Sequence, residues 1–188
     1  TADDFIISVE DAKQSDSSTI KDLANAAAKD TNGSTVARGD IGTTPSNLQD
    51  VTEPGKKDIT FTTPGGISMT ATATIVDKTN QDVVSDGSTV RIGGNDFSIS
   101  LEQAANKDSL ATLFKNLAGA VATKDTTSGV HTNVERSDIS IDTSSIQAKN
   151  GVYPVTLTYE GVSVTVNATV KSEGITTPAD QTPAKNIT

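Results

Sequence analysis

The chain has 188 residues, with 24 acidic against 15 basic side chains and a net charge of −9. That balance argues against nucleic acid or an anionic membrane surface as partner, because phosphate contacts need clustered Lys and Arg. There is no cysteine and one histidine, which excludes a disulfide framework and thiolate metal sites and leaves little for nucleophilic or zinc chemistry.

No apolar run approaches the roughly 18 residues of a membrane span, so no membrane insertion is expected. Hydrophobic residues make up 34% of the chain, with four Phe, two Tyr and no Trp. The bulk is Thr, Ser, Val, Ile and Ala, of which Thr, Val and Ile suit a pleated, half-buried surface, so the bias is toward strand.

The elements come twice. Phe5, Ile7 and Val9 alternate in an opening strand, and Phe97, Ile99 and Leu101 repeat it 92 residues later. A helix follows in each copy: Ile20, Leu23, Ala24 and Ala27 after a cap at Asp16 or Ser18, then Leu110, Leu113, Phe114, Leu117 and Val121 after a cap at Asn106 or Asp108. Turn-forming clusters come next, at Asp30–Gly33 and Asp125–Gly129.

Each copy closes on a hairpin, the clearest pattern in the chain. In the second, Val155, Leu157 and Tyr159 face inward, Glu160-Gly161 turns, and Val162, Val164, Val166, Ala168 and Val170 return as an inward stripe. In the first, Pro64-Gly65-Gly66 turns the chain and Ile67, Met69, Ala71, Ala73 and Ile75 repeat that stripe. Tandem copies extend a chain more readily than they build a pocket.

The expected fold is mainly β: two tandem β-sandwiches, each with a short inserted helix, the alternative being one sheet covered by the helix. The expected boundaries are 1–80 for the first repeat, 81–87 for a polar linker, 88–172 for the second repeat and 173–188 for a Thr- and Pro-containing linker to a further module. The chain opens inside a strand, the expectation for a segment of a longer protein.

The opening at Asn95–Phe97, the stretches Ala120–Asp125 and Asp142–Ile146 and the run Gly151–Val170 resemble the bacterial immunoglobulin-like repeats of Gram-positive cell-surface, adhesin-type proteins. The first copy departs at Asp58, which stands where the second has Pro154. The resemblance implies sandwiches strung in arrays as stalks or adhesive segments, outside the cell at the surface or wall. A monomer is expected, with neighbouring repeats of the same chain and an unidentified host or cell-surface ligand as partners.

No catalytic or cofactor-binding residue emerges, and the expectation is a non-enzyme. Arg38-Gly39-Asp40 spells a tripeptide known for integrin attachment and is the one candidate binding motif. Arg136-Ser137-Asp138 lies in the same place in the second copy, so a turn feeding Ile41 and Ile139 explains both. Asp3, Asp4, Asp30, Asp77, Asp82 and Asp86 crowd toward the repeat ends and would be the ligands if calcium bound. Asn167 is expected to face outward, away from any intramolecular crosslink to Lys.

Overall fold

A computed structural model describes residues 1–172; the expected linker at 173–188 lies outside them. The described residues are mainly strand, arranged in several sheets.

The N-terminal half runs β1 (Phe5–Ser8), α1 (Val9–Lys13), α2 (Ser17–Leu23), β2 (Ala28–Lys29), β3 (Thr35–Val36), a 3-10 turn (Arg38–Asp40), β4 (Gly42–Thr44), β5 (Gly55–Thr62) and β6 (Ser68–Val76). A hairpin follows, β7 (Lys78–Val83) and β8 (Thr89–Gly94). The first series then recurs in the same order with one addition: β9 (Phe97–Ser100), α3 (Leu101–Ala105), a 3-10 turn (Lys107–Ser109), α4 (Ala111–Leu117), β10 (Val121–Asp125), β11 (His131–Asn133), a 3-10 turn (Arg136–Asp138), β12 (Ser140–Asp142), β13 (Gly151–Tyr159) and β14 (Val162–Lys171). The 3-10 turn after α3 has no counterpart in the first series.

Register makes the correspondence specific. One sheet has the order β1-β6-β5-β4 and another β9-β14-β13-β12, and in each the opening strand runs parallel to the closing one. Phe5 lies opposite Ala73 as Phe97 lies opposite Ala168. The hairpins match as well: Ile59 pairs with Ala71 and Phe61 with Met69, as Val155 pairs with Val166 and Leu157 with Val164. Met69 and Val164 therefore hold the same place.

In the C-terminal half a second sheet, of order β7-β8-β10-β11, closes over β13 and β14. Val90, Ile92 and Ala122 from it share one core with Val155, Leu157, Val164, Val166 and Phe114. This is a two-layer β-sandwich. The layers approach closely at Gly94, where a Cβ would lie 2.6 Å from Leu157 Cδ1 and 3.2 Å from Val166 Cγ1, so no larger residue fits. The N-terminal half has its own core around Phe5, Ile7, Ile20, Leu48, Ile59 and Phe61, but only the two-stranded β2-β3 stands where the second sheet would be.

Several sequence expectations are corrected. Residues 81–87 are not a free linker: they end β7 and form the turn into β8, whose Val90 and Ile92 alternate inward. Val9 and Leu101 do not extend their strands, because Ser8 and Ser100 cap new helices. The Ser8 hydroxyl accepts from the Asp11 N–H at 3.0 Å, and Ser100 exchanges bonds with Gln103 in a capping box.

Asp16 caps α2 as read, at 2.7 Å from the Thr19 N–H. Asn106 and Asp108 do not cap α4, whose N-cap is Leu110 with no side-chain bond. Ala27 and Val121 lie past their helices, which end before Asn25 and Gly119, both at positive φ. Ile67 and Met69, expected inward, are 60% and 49% exposed, whereas their counterparts Val162 and Val164 are 5% and 6% exposed. The difference is the missing cover: nothing in the N-terminal half stands where β7 and β8 stand.

These corrections move the place at which the chain should be cut. Residues 77–172 keep both strands of the hairpin, with Asn80 Nδ2 donating to the Ser163 carbonyl at 2.8 Å and Asp77 Oδ2 accepting from the Asp96 N–H at 2.9 Å. That fragment is expected to melt cooperatively in calorimetry. Residues 88–172, cut at the expected boundary, leave β8 as an edge without β7 and should melt at lower temperature; equal melting of the two fragments would contradict the assignment of β7 to this sandwich.

Candidate functional site

The residues that carry charge and shape converge on the junction of the two halves. Its apolar centre is small. Ile6 and Val76 are buried but face away from the N-terminal core, and they close on β8 at Gly93, where a Cβ would lie 2.7 Å from Val76 Cγ2 and 3.1 Å from Ile6 Cγ2. All four residues of β1 are consequently buried, instead of alternate ones.

Around that wedge lies a polar clasp. Asn25, in the left-handed conformation that ends α2, donates from Nδ2 to Asp3 Oδ2 and to Asp125 Oδ1, each at 3.2 Å. His131 Nδ1 lies 2.7 Å from Asp125 Oδ1 and 4.0 Å from Asp3 Oδ2, and Nε2 lies 3.2 Å from Asn133 Oδ1. Arg91, which lines one cavity with Asn25, Asp125 and His131, reaches Asp11 across the junction at 3.8 Å, and Asp11 in turn lines a polar cleft of about 470 Å³ with Glu10, Asp77, Lys78 and Thr165.

The electrostatics of His131 follow from its partners. Burial opposes the imidazolium, but the hydrogen bond to Asp125 and the charges of Asp125 and Asp3 outweigh it, so the pKa is raised above the ordinary value. Both ring nitrogens face acceptors, the arrangement that a doubly protonated ring satisfies. No ring nitrogen is left free to take a proton from a substrate.

Asp3, Asp125 and His131 also have their ligand atoms within 4.8 Å of one another. With Nδ1 at hydrogen-bonding distance from Asp125, a shared proton accounts for the geometry. A group whose folded pKa is raised adds stability that is fully present below the unfolded pKa near 6.5 and is lost as pH rises through the folded value. The melting temperature is thus expected to fall between pH 5.5 and pH 8, and His131→Gln to flatten that slope; an unchanged slope in His131→Gln would contradict the clasp.

Of the six acidic residues considered for calcium, none converges with another. Asp4 accepts from the Thr72 N–H, Asp30 from Asn32 and Ser34, Asp77 from Asp96, Asp82 from Val83 and Asp86 from Ser88 and Lys124, while Asp3 belongs to the clasp. Each serves local backbone or a neighbouring charge. Lys124 bridges Asp86 at 2.9 Å and Glu160 at 2.8 Å and holds the Asp86 carboxyl down to about 2.

Arg38-Gly39-Asp40 forms the 3-10 turn ahead of Ile41, and its counterpart Arg136–Asp138 does the same ahead of Ile139. Arg38 Nε donates to the Ala26 carbonyl and Arg136 Nε to the Ala120 carbonyl, at 3.2 and 2.8 Å. Lys21 Nζ donates to the Ile41 carbonyl and Lys115 Nζ to the Ile139 carbonyl, at 3.2 and 3.0 Å. Both turns are thus clamped from two sides, a structural use that accounts for the shared Arg.

Asn167, half-buried and outside the core, donates to Asp96, which also pairs with Lys78 at 3.3 Å. The three lie at the surface as a hydrogen bond and an ion pair. Sequence reasoning missed the clasp: Asp3, Asn25, Asp125 and His131 are scattered, and the one local signal was an Asn just past the end of a helix.

The two-layer sandwich of the C-terminal half is consistent with an immunoglobulin-like fold. Residues 115–170, from within α4 to the end of β14, match the family model described as bacterial Ig-like domain (group 3). No curated protein matches the chain. Among the described residues no helix is long and apolar enough to cross a membrane.

Proposed function

We propose that this chain is a non-enzymatic tandem segment of a bacterial cell-surface protein, acting as a stalk that spaces other parts of the protein from the cell. The observation that carries the reading is the junction: two copies of one plan are wedged together by Ile6, Val76 and Gly93 and clasped by Asp3, Asn25, Asp125 and His131. A spacer needs its modules held in fixed relation, and an array of small sandwiches gains length with every copy.

The match of residues 115–170 to a bacterial Ig-like model supports surface placement, and the reading takes the segment as extracellular and monomeric. The absence of a free general base on the only histidine supports a non-catalytic role. Neighbouring repeats of the same polypeptide are the natural partners. Antibody raised against residues 1–172 should label intact cells of the source bacterium; labelling only after lysis would refute the surface role.

An adhesive role, in which a loop binds a host protein or glycan, is the second reading, and the exposed Asp40 carboxylate of Arg38-Gly39-Asp40 is the feature that favours it. Surface plasmon resonance with immobilised integrin ectodomain separates the two. The stalk reading expects no saturable signal, and a signal abolished by Asp40→Ala would establish the adhesive one.

A further inference from the structure

The junction gathers more donor atoms than its hydrogen bonds use. One proton on His131 Nδ1 needs one acceptor and has it in Asp125 Oδ1 at 2.7 Å. Asp3 Oδ2 lies 4.0 Å from the same nitrogen, too far to accept from it. Neither carboxylate has a Lys or Arg partner among the described residues, yet the ligand atoms of Asp3, Asp125 and His131 all lie within 4.8 Å of one another. Two carboxylates brought together from different halves repel unless a cation stands between them.

Asn25 supplies a fourth donor. Its amide nitrogen lies 3.2 Å from Asp3 Oδ2 and 3.2 Å from Asp125 Oδ1. The edge of a tetrahedron of ligands set about 2.0 Å from a metal is about 3.3 Å, so a half-turn of the amide puts Oδ1 at the remaining corner. The far side of the imidazole is already supported. Nε2 lies 3.2 Å from Asn133 Oδ1, and donation there leaves the Nδ1 lone pair facing the carboxylates, the outer bond by which a metal-bound imidazole is oriented.

The frame is held from both halves. The Asp3 N–H donates to the Ala24 carbonyl at 2.7 Å, and the His131 side chain is 11% exposed. A cavity of about 260 Å³, lined in part by Asn25, Asp125 and His131, opens beside the cluster and gives an ion a way in. Arg91, the other cation of that cavity, is paired with Asp11.

We propose that Asp3, Asn25, Asp125 and His131 form a site for a divalent transition metal of the zinc class, which takes the place of the Nδ1 proton and joins the two halves. Calcium and magnesium are poor occupants, because they take oxygen ligands, whereas an imidazole nitrogen suits zinc and its neighbours in the first transition series. Binding displaces one proton from Nδ1 to solvent and breaks no other covalent bond.

His131 is the only histidine of the 188 residues, so its two ring nitrogens can be followed without ambiguity in long-range proton–nitrogen correlation spectra of the whole chain. Zinc chloride at about pH 7.5 should move Nδ1 to the position of a metal-bound nitrogen, leave Nε2 protonated and saturate at one ion per chain. Calcium chloride should move neither. The melting temperature should rise by about 5 °C or more at a hundredfold excess of zinc over its Kd.

In isothermal titration calorimetry Asp3→Asn should weaken zinc binding about tenfold or more, while Asp30→Asn, outside the clasp, should leave the affinity unchanged. The Asp3 variant carries its substitution outside both cores, and its own spectrum shows whether it is folded. An Nδ1 resonance unmoved by millimolar zinc in the wild-type chain would overturn the proposal, as would coordination through Nε2. An affinity unchanged in folded Asp3→Asn would overturn it too, since the metal would then touch the C-terminal half alone.

Discussion

Val164→Asp is expected to unfold the C-terminal half, while Met69→Asp, at the same place in the repeat, is expected to be nearly silent. Val164 is 6% exposed beneath β7 and β8, in the core shared with Ile92 and Leu157, so a carboxylate there has no partner and no water. The cost should be about 3 kcal/mol or more, a large part of the stability of a small domain. Met69 is 49% exposed, and an acidic side chain there should change stability by less than about 0.5 kcal/mol. Thr165→Asp, on the outward face of β14, should be equally mild. Urea melts of the three variants give the order directly, and equal losses at Val164 and Thr165 would mean that the two-layer arrangement is wrong.

The second large effect is expected at Phe114. It is fully buried in α4, with its ring centroid 6.0 Å from that of Phe97 in β9, and it ties the helix to the opening strand of its repeat. Truncation to alanine removes a large apolar side chain and leaves a cavity that neither the sheet nor the helix is free to fill, at about 3–5 kcal/mol. Ile20 holds the same place in α2 but is smaller, so Ile20→Ala should cost less, about 2–4 kcal/mol. A Phe114→Ala loss below that of Ile20→Ala would contradict the placement of Phe114 at the centre of its core.

The sequence announced strongly periodic elements well and their partners poorly. Alternation in Val162–Val170 is followed by burial at every expected position, because a strand with one covered face must put its apolar set on that face. The same alternation misled at Ile67 and Met69. Period two says which side a residue takes, and only the rest of the fold says whether anything covers that side.

The helices after β1 and β9 were hidden because Val9 and Leu101 continue the apolar beat of their strands. The Ser8 and Ser100 caps were the better signal. The hairpin at 78–94 was obscured by its polar first strand, although Val90 and Ile92 carried the period. Nothing local could assemble the clasp, since Asp3 and His131 are 128 positions apart and meet only because the halves dock.

The central claim is that the two halves form one stiff unit and not two beads on a string. A chain without cysteine allows two labels to be placed cleanly, one at Lys56→Cys on β5 and one at Glu135→Cys ahead of the second Arg-x-Asp turn, both exposed. Double electron–electron resonance between nitroxides at these sites, at pH 6 where His131 holds its charge, should give a single narrow distance distribution. A broad or multimodal distribution would contradict the account, since it would mean that the wedge at Gly93 and the clasp at His131 do not hold the halves together.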